Sequence, residues 1–137
     1  MSYELREHTA DVAVEATADS LDAVLAAVAD GMATAMCDEI PPEGGERREV
    51  SVTAEGREAL LFDYLDELIY ERDVRSVLPV DNETRVRQDG ETWHLDGSYR
   101  GVSLTDVTAR DLKAVTYSEM DLSETDTGWH AYVVFDV

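Results

Sequence analysis

Disulfides, membrane spans and basic surfaces are all missing from this 137-residue chain, and each absence excludes something. Cysteine occurs once, at Cys37, so no internal disulfide can form and the expected setting is reducing and cytoplasmic. No run approaches the ~20 apolar residues that a membrane helix needs. Met1-Ser2-Tyr3-Glu4 has neither the basic start nor the apolar stretch of a secretory signal, so no membrane partner is expected. Proline is limited to Pro41, Pro42 and Pro79, which confines the clearest break to Pro41-Pro42-Glu43-Gly44-Gly45. Lysine also occurs once, at Lys113, beside ten arginines.

What is present in excess is negative charge: 31 acidic residues against 11 basic ones, a formal net charge of −20. Such a polyanion is repelled by nucleic acid and by anionic membranes, so direct nucleic-acid binding is not expected. The acids are spread along the chain and hydrophobic residues make up 44%, which excludes a disordered acidic tail. Dispersed acids with little lysine read as adaptation to concentrated salt, as in the cytoplasm of a halophilic archaeon, where screening removes self-repulsion.

Apolar periodicity predicts one α+β domain over residues 1–137, with two helices packed on a largely antiparallel or mixed β-sheet. Residues 3–8 and 11–17 read as strands separated by Thr9-Ala10, with Val12 and Val14 on one face and Asp11 and Glu15 on the other. Asp19-Ser20 offers a helix N-cap. The helix that follows carries Leu21, Val24, Leu25, Val28, Met32, Ala35 and Met36 on one face, with Gly31 as a weak spot or a close contact. Arg47 to Glu55 is a strand, and Glu58 to Asp73 a second helix with Leu60, Leu61, Tyr64, Leu65, Leu68 and Ile69 inward. Strands are then expected over 77–80, 83–88, 91–99, 112–122 and 129–135, with hairpin turns at Asp89-Gly90 and Asp126-Thr127-Gly128.

Familiar catalytic patterns are missing. His8, His94 and His130 have no partner at zinc-ligand spacing, and His94 and His130 read as surface or edge residues. Gly44-Gly45 lacks the lysine and helix of a phosphate loop, and Cys37 reads as a small core residue. Asp63, Asp66, Glu67 and Glu71 read as a solvated helix face. Asp11 and Asp136 stand out more. The strand Ala131-Tyr132-Val133-Val134-Phe135 runs to Asp136-Val137, and an apolar strand in that position is expected to be tied down. If the strands holding Asp11 and Asp136 are neighbours, those carboxylates and a main-chain oxygen of Val137 meet as an all-oxygen set suited to a hard divalent ion. Spacing alone leaves open that these are ordinary strand-end aspartates.

Five segments resemble the archease family over essentially the whole chain: His8-Thr9-Ala10-Asp11-Val12, Asp19-Ser20-Leu21, Leu60 through Tyr70, Leu112-Lys113-Ala114-Val115-Thr116-Tyr117, and the closing Asp136-Val137. The resemblance implies a non-catalytic activator of an RtcB-type tRNA-splicing RNA ligase, one that promotes the ligase's guanylylation and multiple turnover. It implies a divalent metal, Ca²⁺ first and Mg²⁺ or Mn²⁺ as alternatives, held by Asp11, Asp136 and Val137. Lys113 corresponds to the family's lysine and is, with His8, a candidate for contact with the partner. Ser118 stands where some members carry a histidine, so no role of that histidine transfers. The alternatives are a metal-dependent hydrolase using His8 and Asp11, and a chaperone-like scaffold with a structural metal.

Overall fold

Helix α1 (Leu21–Met36) starts because Ser20 stays extended and its Oγ accepts a hydrogen bond from the Ala23 amide at 3.1 Å. It stops at Cys37, whose extended backbone donates its amide to the Ala33 carbonyl and whose side chain is buried in the core. The computed structural model describes residues 2–8 and 11–137, with only the backbone of residues 5–8; the Thr9-Ala10 connection lies outside the described residues. Seven strands and a second helix complete the regular structure: β1 (Ser2–His8), β2 (Asp11–Ala18), β3 (Glu46–Ala54), α2 (Arg57–Arg75), β4 (Val77–Asp89), β5 (Thr92–Ser103), β6 (Ala114–Thr125) and β7 (Gly128–Asp136). A short 3₁₀ turn, Leu104–Asp106, was not legible in the sequence.

The α+β class stands, with one refinement. The strands form two antiparallel sheets, β1-β2-β7-β6 and β3-β5-β4, where one sheet was expected. Helix α1 packs on strands of both sheets, and α2 does the same. That is why α1 is buried nearly all round, from Val24 to Met36, and why its apolar character exceeds a single stripe. The shared core joins Val14, Val133 and Phe135 of one sheet to Val50, Leu95 and Tyr99 of the other through Leu25, Val28, Leu61 and Leu68.

β4 is continuous where two strands were expected, because Asp81 turns into the left-handed region (φ 48°) and the register shifts between Val80 and Glu83. Its outer edge is covered by α1. Asp30 accepts from the Asn82 amide and Asp22 from the Val86 amide, both at 2.9 Å, while Thr84 donates its hydroxyl to the Asp22 carbonyl. Helix carboxylates thus occupy the main-chain donors that would otherwise template another strand.

The acidic face assigned to α2 needs correction at Glu71. Glu71 is buried, accepts the Tyr99 hydroxyl at 2.7 Å and pairs with Arg75 at 3.0 Å. Composition could not separate it from Asp63 and Asp66, which are exposed. His94 and His130 are not on edges either: they lie on β5 and β7, interior strands of their sheets, and both are half-buried. Among the described residues no helix is long and apolar enough to cross a membrane.

Candidate functional site

Valines 12 and 14 draw one face of β2 into the core, so Asp11, Ala13, Glu15 and Thr17 share the opposite face. The partner of β2 is β7, and the register pairs Asp11 with Asp136. Directly paired residues project from the same face of an antiparallel sheet with Cβ atoms ~5 Å apart, so these two carboxylates leave the sheet side by side. The row extends further. His8 of β1 is paired with Asp11, and Ala114 of β6 with Asp136, so four strands contribute one position each to a single line. The side chain of His8 lies outside the described residues.

Main-chain bonds fasten the segment before β6 to this row. The Lys113 amide donates to the Asp136 carbonyl at 2.8 Å. Lys113 itself precedes β6 rather than lying in it, and its side chain is exposed with no ion-pair partner among the described residues. Upstream, Arg110 donates its amide to Met36 and its guanidinium to the Ala35 carbonyl and the Asp38 carboxylate, pinning residues 107–113 across the end of α1. The Arg110 hydrogen bond and charge hold the Asp38 carboxyl below its ordinary range. Between this strap and the strand ends lies a cavity of about 270 Å³ lined by Asp11, Val12, Ala35, Arg110, Asp111, Leu112 and Val137. Asp11 is half-buried there, whereas Asp136 and Val137 are exposed.

The structure therefore brings Asp11, Asp136, Val137 and the Lys113 main chain to one end of the four-stranded sheet. Among the described residues no three carboxylate, imidazole or thiolate side chains converge as a ready cation cage. The oxygen set is two carboxylates plus main-chain oxygen.

A second polar constellation on the same face had no signal in the sequence. His130 bonds Asp121 through Nδ1 at 2.7 Å and Glu15 through Nε2 at 2.9 Å, and Ser123 donates to the same Asp121 oxygen. Glu15 and Asp121 both stand opposite Tyr132, one row from His130, so the ring reaches them diagonally. The hydrogen bond to Glu15, then that to Asp121, raises the imidazole pKa against the opposing effect of burial. Residues 15, 121 and 130 meet through strand register alone, and no local spacing announces it.

Residues 3–137 match the Archease protein family. The chain belongs to the archease family. Its curated relatives include the protein archease of Thermococcus gammatolerans, 32% identical over 98% of each chain. That of Pyrococcus abyssi is 30% identical over 98% of each. The solution structure of Methanobacterium thermoautotrophicum protein 1598 superposes with a TM-score of 0.81 at 29% identity, covering 98% of each chain. A crystal structure from Thermotoga maritima, described as an archease and possible chaperone, shares the fold at a TM-score of 0.64 and 22% identity, covering 98% of this chain and 96% of that one. In this archease, three of the five segments that carried the resemblance meet in one strand row, at residues 8 and 11, 136 and 114, while the other two lie at the start of α1 and within α2.

Proposed function

We propose that this archease activates an RtcB-type tRNA-splicing RNA ligase without catalysing a reaction itself, and that it does so through a divalent cation held by Asp11, Asp136 and Val137. The observation that carries the reading is the direct pairing of Asp11 with Asp136 across β2 and β7. That pairing supplies two adjacent carboxylates on one sheet face, and Val137, which lines the same cavity as Asp11, would add main-chain oxygen. An all-oxygen set of few protein ligands fits a hard ion that keeps part of its water shell, Ca²⁺ first and then Mg²⁺ or Mn²⁺. When bound, such an ion supplies a positive centre that neutralises phosphate charge or orients an oxygen ligand of the partner. The chain's own residues do the rest. The β2–β7 ladder holds the carboxylates in register, the Lys113 amide fixes the Asp136 backbone, and the exposed Lys113 amine stands ready for an anionic group of the complex. The net charge of −20 favours docking at a ligase's cationic nucleotide and RNA cleft and keeps the archease from competing for RNA.

Multiple-turnover ligation by the cognate ligase, with Ca²⁺ binding followed by calorimetry, tests this reading. Asp11→Ala is expected to lose both the bound ion and the stimulation. Full stimulation by a variant that no longer binds the ion would sink the metal-based role. A purely structural ion predicts a lowered melting temperature with stimulation retained once the fold is restored.

A further inference from the structure

Helix α2 buries Leu60, Leu61, Tyr64, Leu65 and Leu68, yet its opposite face is not simply polar. Asp63, Asp66, Tyr70 and Val74 recur at spacings of three and four and look outward, with Tyr70 56% and Val74 59% exposed. Tyr117, 55% exposed, widens the same surface: its ring stacks on Phe62 with centroids 4.2 Å apart and 6° between the planes. Tyr117 is free to do so because β6 leaves its ladder there. Thr116 pairs with Val134 and Asp121 with Tyr132, so the four residues between them face Val133 alone, and Glu119 takes a left-handed φ of 55°. Scattered exposed apolar side chains are ordinary, but these run along ~18 Å of one helix face.

The charge on this face is unbalanced. Asp63, Asp66 and Glu67 form no ion pair among the described residues, while the helix's own cations are engaged elsewhere: Arg57 lies over the Trp129 ring, Arg72 pairs with Asp73 and Arg75 with Glu71. Burial, then the charges of Glu71 and Asp66, pushes the Glu67 carboxyl above its ordinary range. Burial and the nearby Asp63 do the same to the Tyr117 hydroxyl. Carboxylates beside flat aromatic rings are complementary to guanidinium groups, which stack on the ring and donate to the carboxylate at once. Nucleic acid is the wrong charge for such a surface.

We infer that the outward face of α2, with the Phe62–Tyr117 stack at its edge, is the docking surface for an arginine-bearing protein surface, that of the ligase partner. The inference rests on the activator reading given above. It is consistent with position: the Lys113 amide is bonded to Asp136, and Tyr117 follows four residues later, ~13 Å along an extended chain. Asp136 leaves the sheet on its outer face and Tyr117, in phase with buried Val115, on the face that α2 covers, so a partner surface that reaches both wraps around the β6 edge.

The test uses the purified ligase and the full archease chain, comparing wild type with Asp66→Lys, Tyr70→Ala and Tyr117→Ala in binding and in multiple-turnover stimulation. Each variant alters an exposed side chain, so circular dichroism and Ca²⁺ binding are expected to match wild type, and only Tyr117→Ala, which removes the ring stack, is expected to lower the melting temperature slightly. Asp66→Lys and Tyr117→Ala are expected to weaken ligase binding about tenfold or more. The charge variant should also flatten the dependence of affinity on salt. Wild-type stimulation together with undiminished binding by all three variants overturns the docking face and leaves the activator reading intact. A wild-type chain that neither binds nor stimulates the ligase overturns the activator reading, and this inference with it.

Discussion

His130, with a carboxylate on each ring nitrogen, joins β2, β7 and β6 through one side chain. Its pKa is raised above the ordinary 6.5 by those bonds, the one to Glu15 first, so the folded state binds the proton more tightly than the unfolded chain does. The resulting stabilisation is complete below about pH 6.5 and fades as pH rises through the folded value. Melting curves of wild type and His130→Gln should therefore differ most at mildly acid pH and converge as the solution becomes alkaline; a constant gap would reject the account. Tyr99 carries a different residue-scale prediction. Burial and its bond to Glu71 push its phenol pKa upward, and Tyr99→Phe would remove a donor from a buried carboxylate. Urea unfolding is expected to show a loss of about 1–3 kcal/mol. Neither contact was legible in the sequence, since Glu71 and Tyr99 are 28 residues apart and meet only when α2 lies on β5.

At the scale of elements, α1 does two jobs. It covers the open edge of β4 with Asp22 and Asp30, and it approaches β2 closely enough that Gly31 is required. A Cβ at Gly31 would sit 2.5 Å from Val14 Cγ1 and 3.2 Å from the Tyr3 ring. Gly31→Ala gains ~1 kcal/mol of helix propensity, but Val14 is buried and cannot retreat, so overpacking of about 1–3 kcal/mol is expected to win. Chemical denaturation giving a more stable variant would show that the helix moves away freely. Amide exchange offers the matching check on the edge: Asp22→Ala should speed exchange at Val86 while leaving amides in the β5 ladder protected. The two helices and most strands could be read from periodicity, and the N-cap of α1 from Ser20, because those patterns are local. The division into two sheets could not, because alternation says which face is buried and not which strand lies alongside.

Across the whole molecule, a net charge of −20 on 137 residues opposes compaction wherever screening is weak. The melting temperature is expected to rise by ~5 °C or more between about 0.1 M and about 2 M KCl, as the Debye length falls from ~10 Å to below 3 Å. A flat response would mean that the acids are already balanced in the fold. Lys113, the single lysine, is left exposed by the structure, with its amide bonded to Asp136. If a compact amine is needed in the ligase complex, Lys113→Arg keeps the charge and loses stimulation in the turnover assay.

The amino-acid sequence by itself determined the N-cap of α1, the inward faces, the acidic character and the segments that mark the archease family, since each depends on neighbours a few residues away. It also singled out Asp11 and Asp136 as strand-end carboxylates. Tertiary structure alone decided that β2 lies against β7 in the register that pairs them, that His130 falls between Glu15 and Asp121, and that Glu71 turns inward while Asp66 does not. Glu71 turns inward because α2 lies on β5, which brings Tyr99 to it; the other two cases follow from strand pairing. Asp11 and Asp136, and likewise Glu15 and His130, lie more than a hundred positions apart along the chain and become neighbours through the β2–β7 pairing. A shift of one residue in that pairing would turn these side chains to the other face.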